Sequence, residues 1–539
     1  MTTDIEGVTL ATAGDWEAFG KELAPRGLGP TLSAVLSRLK EMGAASAIIE
    51  REYLDQDFTA EFSEFYAKLF RRHSKVCQRI HFFAGDVTPV LQLEKAAELG
   101  RALEEFGKAG FLGFLVLRPV AHSPIAKAVL ACPPSPQDHA AKLLVRAEYS
   151  VHVLGATLKI EGVPLVQQDR RIGSCAQATL WMGGRHFHIK HRGPWFSMAQ
   201  ISAEALDPAD VTTARSLPAG SSFLGLDNMV RALRAMRREP FVYIRQDLIN
   251  PSLPKGWAAP VEGIISRYVD SGIPVILGMG ATAGSDVGHA LLAVGHIVRK
   301  LPHDVALGLQ PSRAEFCEAF LVNDDQRGSY QRVAIREGSE LAESPYVVEK
   351  DLQYVLIPLP NRVYLTAEAS EKIAWDLLNK FYADRIPGLI AAKEFDFGQS
   401  ENLSANFLEN LGKNKVIART YLTYGWKYRE RMLRNECAES LKAAIIRHAL
   451  PKYVWVTEFG TLASLNSLNP SEKRVSAHAV VDATSSELHY SQLIFHGPGL
   501  CATWSNNSAT PHQAFEGKLI QIKDDKPYYP KVRGLLEVT

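Results

Sequence analysis

The sequence predicts an α+β protein built in three regions. Three observations lead there: the length, a middle region in which a helix precedes a pair of apolar strands, and flanking stretches that mix both periodicities. The 539 residues exceed what one compact core accommodates, so two to four domains are expected, and the pattern of segments favours three. No internal repeat or low-complexity tract interrupts them.

Composition narrows the class. Hydrophobic residues make up 46% and charged residues 22%, the balance of an ordinary globular protein. Lys plus Arg (60) nearly cancels Asp plus Glu (59), so no global field draws the chain to nucleic acid or to an anionic membrane, and neither partner is expected. The local cluster Arg71–Lys75 (RRHSK) reads as a solvated face. The opening MTTDIEGVTLATAGDW lacks the basic start and apolar stretch of a secretory signal, and no segment reaches the roughly 18 apolar residues of a membrane span. A cytoplasmic protein is the resulting expectation. The six cysteines, Cys77, Cys132, Cys175, Cys317, Cys437 and Cys501, form no CxxC pair, which agrees with a reducing compartment and argues against disulfides and a cysteine zinc site.

The first region, residues 1–149, reads as mixed α/β. The pattern predicts helix from about Gly27 to Arg51. In Glu61–His73, Phe62, Phe65, Tyr66, Leu69 and Phe70 fall at the three-and-four spacing of a buried helical stripe. Phe111–Val120 predicts a strand. The Pro-rich turn at Ala131–Asp138 and the strand pattern after it mark a boundary near residue 150.

The middle region, 150–337, carries a helix led by Cys175, an acidic stretch from Ile201 onward and a helix over Asp227–Arg238. Two apolar strands follow, GIPVILGMG (272–280) and GHALLAVGHIV (288–298), and EAFLVNDDQRGSYQRV (318–333) closes it. Helix first and strands later is the order of an α+β unit. The third region, 338–539, is again mixed α/β. It opens with a strand (354–365) and a helix (367–383) and continues to strands near 453–465 and 476–484. It carries no catalytic signature.

Chemistry concentrates in the middle region. Gly173 and Ser174 supply a turn and a cap, placing Cys175 at a helix N-terminus, where unpaired amides and the helix dipole favour a thiolate. The alternative is a small buried residue in a core helix. His289 follows a glycine-rich segment and enters an apolar strand, which would hold its ring rigidly as a general base requires. The alternative is a hydrogen-bonded, half-buried histidine. His296, seven residues on, points to the opposite strand face under period-two alternation, so both cannot serve one site. Asn323 and Asp324 end a strand before a turn at Gly328. Either is positioned to accept from the second nitrogen of His289, as the third member of a triad does; local turn chemistry is the alternative.

Together these segments resemble the papain-like cysteine peptidases, most closely the peptidase domains of bacteriocin-processing exporters. The resemblance spans about residues 150–337 and rests on Gln168 with Cys175, on HALLAVG beginning at His289, and on LVND ending at Asp324. It implies a papain-like core flanked by the two α/β regions, a nucleophile at Cys175, a base at His289, an orienting Asp324 and an oxyanion donor at Gln168. Two positions depart from the family: Gln168 lies seven residues before Cys175 rather than about six, leaving open Gln168 after a small bulge, Gln167 or neither as the donor, and Ala176 stands where Gly is common.

The implied activity is peptide or amide hydrolysis on a protein or peptide substrate, without a cofactor or metal. The same groups also suit a deamidase or transamidase acting on a protein side chain, and an inactive papain-fold scaffold is the third reading. Other motifs carry less. GMGATAG (278–284) lacks dinucleotide-loop spacing and a following helix. His186, His188 and His191 in HFHIKH mix strand and helix spacings, so no single regular element presents all three, and an exposed polar segment is expected. Cys317 reads as buried.

Overall fold

The structure, a computed structural model, describes residues 4–24, 27–169, 174–206, 224–245, 260–281, 288–299, 307–393, 397–465, 472–486, 491–504 and 517–528. Gly173, residues 207–212 of the acidic stretch and residues 282–284 of GMGATAG lie outside them. Helices and strands are both abundant, so the chain is α+β. Among the described residues, no helix is long and apolar enough to cross a membrane, and the six cysteines are free thiols.

The first sheet is antiparallel and follows chain order: β1 (Ile5–Thr9), β2 (Ser46–Tyr53), β3 (Cys77–Phe83), β4 (Phe111–Leu117) and β5 (Ile125–Leu130). The helix expected from Gly27 to Arg51 covers only Pro30–Glu41; Gly43, with φ +81°, turns the chain into β2. Ala47, Ile48 and Ile49 are fully buried there, and a β-branched run inside a sheet outweighs local helical spacing. The predicted stripe over Glu61–His73 also breaks. Its helix, Gln56–Glu64, ends before a single 3-10 turn at Tyr66–Lys68, and while Tyr66 is buried, Phe70 is fully exposed.

β6 (His139–Leu143) leads to a hairpin of β7 (Ala147–Val153) and β8 (Ala156–Gly162). The central sheet comprises β9 (Arg238–Ile244), β10 (Val275–Met279), β11 (His289–Arg299), β12 (Cys317–Asp324), β13 (Gly328–Ala334) and β14 (Leu352–Pro360), in the order β13-β12-β11-β10-β14-β9. β6 pairs with the far half of β11, from Gly295 to Arg299. The sheet thus draws β6 and β14 from either side of residues 150–337. One apolar core runs continuously through the first and central sheets.

β11 is buried from His289 to Val298. Each fully buried Leu or Val along it contributes about 1.5–3 kcal/mol, which fixes the strand and both of its histidines. The third sheet is a meander in chain order: β15 (Val416–Tyr424), β16 (Tyr453–Thr461), β17 (Ala477–Asp482), β18 (Gln492–Gly497), β19 (Leu500–Thr503) and β20 (Lys518–Gln521). Two further apolar clusters form on its residues, while Leu422, Trp455 and Val481 join it to the continuous core of the other sheets.

The expectation for HFHIKH is corrected. All three histidines ride on one helix, Cys175–His191, and His186 is fully buried. The helix is buried from Ala176 to Phe187, so an apolar environment on every side carries it past the polar residues. Burial, reinforced by Lys190 and Arg238, pushes the His186 imidazole down to about 3. Cys317 is buried at the start of β12, and the next described element after GMGATAG is strand β11.

Candidate active site

Cys175 is the first residue of its helix, with Ser174 as N-cap in a capping box with Gln177. The Gln177 side-chain oxygen accepts from the Ser174 amide at 3.0 Å and from its hydroxyl at 2.6 Å, fixing the turn into the helix. The thiol is half-buried and lies within hydrogen-bonding reach of His289.

His289 opens β11, opposite Met279 on β10. Its Nε2 lies 2.9 Å from Asp324 Oδ1 at the end of β12, so the Nε2 proton is donated to the carboxylate and Nδ1 remains as the basic nitrogen. Asp324 Oδ1 also accepts the Gln326 amide at 2.9 Å, which pins the carboxylate. Burial disfavours charge on the ring. Hydrogen bonds to Asp324 and Cys175 and the fields of Asp324 and Asp325 outweigh it, lifting His289 to about 11. An imidazolium beside a thiol is the state that supports an ion pair.

Asn323 and Asp324 are separated by what they bind. The Asn323 amide donates to Pro164 O at 3.1 Å and its oxygen accepts the Tyr330 amide at 3.2 Å, so its side chain ties β12 to its surroundings. Gln167 and Gln168 divide similarly. Gln167 accepts from the Ile125 amide at 3.3 Å and donates to Thr31 Oγ1 at 3.2 Å. Gln168 is half-buried and lines a cavity of about 600 Å³ with Thr31, Ser123, Asp325, Gln326 and Arg327. Its neighbour Asp169 accepts a hydrogen bond from the buried Tyr66 hydroxyl, anchoring this end of the segment to the first region.

His296 lies elsewhere. Its Nε2 pairs with Asp270 at 2.7 Å, and seven residues of strand set it about 23 Å along β11 from His289. A register shift between Ala293 and Gly295 breaks simple alternation, so it is this distance along the strand, rather than facing, that separates the two histidines.

Four contributors carry no motif. Tyr346 stacks on the His289 ring, Gln326 Nε2 approaches its Nδ1 at 3.5 Å, and Asp325 Oδ1 lies 3.7 Å from its Nε2. Thr31, from the Pro30–Glu41 helix, donates to the Gln326 carbonyl at 2.7 Å. Asp325 is fully buried, and burial together with the Asp324 charge raises its carboxyl, against the opposing pull of His289. One atom each from His289, Asp324 and Asp325 lies within 4.8 Å of the others, a donor set with the composition of a divalent-cation site.

A larger cavity of about 760 Å³, lined by His139, Glu318, Arg332 and Arg336, lies away from these groups. Comparison of the chain with protein-family models and with curated proteins finds no match in either.

Proposed function

We propose that the chain is a thiol hydrolase that cleaves peptide or amide bonds through Cys175, His289 and Asp324. Within that class the reading is a papain-like cysteine peptidase core acting on a protein or peptide in the cytoplasm. One observation supports it: a single imidazole meets both the thiol at a helix N-terminus and, through Nε2, a buried carboxylate.

The chemistry follows from that arrangement. The proton of Cys175 resides on His289 Nδ1, and the thiolate attacks the substrate carbonyl carbon to give a tetrahedral oxyanion. The Cys175 amide and the Gln168 side chain are the proposed donors to that oxygen, each worth about 3 kcal/mol. The imidazolium returns its proton to the leaving amine as the carbon–nitrogen bond breaks. Neutral His289 then takes a proton from water, whose oxygen displaces the thiolate from the thioester and releases the acid. Asp324 holds the ring through both steps.

The test uses an electrophilic peptide probe directed at thiols. Labelling is expected at Cys175, abolished in Cys175→Ala and strongly slowed in His289→Ala, with His296→Ala retaining it. Equal labelling of wild type and Cys175→Ala would sink the assignment, and the reverse ranking of the histidines would move the base. Comparing new protein N-termini produced with active enzyme and with Cys175→Ala then separates peptidase from side-chain amidase.

A further inference from the structure

At the far end of β11 the central and third sheets meet over a group of buried charges. Asp270, which ends the helix Val261–Asp270, bonds His296 Nε2 at 2.7 Å. Arg419 on β15 places Nε 3.5 Å from Asp270 Oδ2 and Nη1 3.5 Å from Glu458 Oε2 on β16. Arg313 Nη1 lies 4.0 Å from the same Asp270 oxygen.

Two more cations close on the same place. Lys142 sits on β6 directly opposite His296 in the strand register, and its side chain is within hydrogen-bonding reach of that of Lys473. Among the described residues neither ammonium makes an ion pair with a carboxylate. Among the described residues, Lys142, Arg313, Arg419 and Lys473 gather around Asp270 and Glu458, so cationic side chains outnumber carboxylates there. The neighbouring Arg267 and Glu371 neutralise each other through Nε to Oε2 at 3.0 Å, so they supply no further anion.

Burial makes that excess costly. Arg313 is 6% exposed and Glu458 1%, and burial with the neighbouring cations lowers both the Lys142 and the Lys473 amines, so without an added anion the pair does not keep both protons. Arg313 Nε and His296 Nδ1 are buried without a hydrogen-bond partner. Lys142 and Lys473 stay half-buried, so the cluster keeps a solvent side.

We propose that this cluster binds a phosphoryl oxyanion, held by Lys142, Lys473 and Arg313. A tetrahedral dianion offsets the surplus of cationic side chains and offers several acceptor oxygens to the two lysines, which it would keep protonated, and to the guanidinium. Chloride supplies one charge and no directed acceptors. The bound group would tie β6 and β11 to the third sheet, at the opposite end of the strand that carries His289. The inference is independent of the thiol chemistry.

The experiment is calorimetric titration of the full chain with inorganic phosphate, and in parallel with adenosine triphosphate, at matched ionic strength, with chloride as control. Saturable one-to-one binding of phosphate or the nucleotide is expected, with none of chloride, and tighter binding of the nucleotide would identify it as the source of the phosphoryl group. Lys142→Gln and Lys473→Gln should each weaken binding at least about tenfold, the loss of one charge-assisted hydrogen bond, while Lys473→Arg retains it. No saturable binding in the wild type overturns the proposal, as does undiminished binding in both glutamine variants. The wild-type and Lys473→Arg arms decide it even if a glutamine variant fails to fold.

Discussion

The Tyr346 ring lies nearly parallel to the imidazole of His289, with centroids 5.8 Å apart and planes 20° from parallel. Tyr346 is only 8% exposed, so it closes one face of the imidazole and shields the His289–Asp324 hydrogen bond from competing water. Tyr346→Ala should lower the rate of Cys175 alkylation and of any hydrolysis about ten- to a hundredfold through loss of ring alignment. Tyr346→Phe keeps the stacked face and should stay near wild type. Equal rates in all three proteins would reduce the ring to packing.

The His289 imidazole gives a defined pH dependence of stability. Its folded value, about 11, lies above the ordinary 6.5, so folding is favoured by the bound proton. That contribution is complete below about pH 6.5 and fades as pH rises toward about 11. The melting-temperature advantage of wild type over His289→Gln should therefore be largest below neutrality and shrink steadily through the alkaline range. A gap that stays constant or widens with pH would show that the ring is not held protonated.

The contacts of His289 also show what the sequence made legible. Cys175, His289 and Asp324 stand out because each sits at an element boundary, where cap, strand entry and turn residues leave local marks. Tyr346 leaves none, since it lies in an irregular segment and reaches His289 only through the fold. The same limit hid β2: its helical spacing is local, whereas its burial between β1 and β3 is not. What holds Gln167 and Asn323 was out of reach of the sequence, because their partners lie in distant segments, Thr31 and Ile125 for the first and Pro164 and Tyr330 for the second.

The Cys175 helix is anchored to the first region by a buried charge group. Arg185 Nε donates to Asp57 Oδ1 at 2.7 Å, Lys127 Nζ lies 2.6 Å from Asp57 Oδ2, and Trp195 Nε1 donates to Oδ1 at 3.1 Å. Burial opposes the charge on Asp57, but Lys127 and Arg185 hold its carboxyl below the usual range. Asp57→Ala strands the buried Arg185 and leaves the half-buried Lys127 paired with Asp55, and should cost about 3–5 kcal/mol in chemical denaturation. Asp57→Leu combined with Arg185→Met should recover part of that loss. A cost below about 1 kcal/mol for Asp57→Ala, the range of an exposed pair, would mean that water reaches the group.

Thr31 joins the first region directly to the turn that follows Asp324. Its hydroxyl donates to the Gln326 carbonyl at 2.7 Å and accepts from Gln167 Nε2 at 3.2 Å, so one side chain links the turn after Asp324 with the segment that presents Gln168. Thr31→Val keeps the shape and removes both bonds, leaving the buried Gln167 amide unsatisfied and the Gln326 carbonyl without its Thr31 partner. Stability should fall by about 1–3 kcal/mol. Because Gln326 and Gln168 line the same cavity, the turnover of a peptide substrate should fall as well, while alkylation of Cys175 by a small reagent, which needs only His289 and the helix terminus, stays near wild type. If both rates are unchanged in a folded Thr31→Val protein, the first region supports the core without shaping its cleft; if both collapse together, Thr31 acts on the His289–Asp324 pair itself.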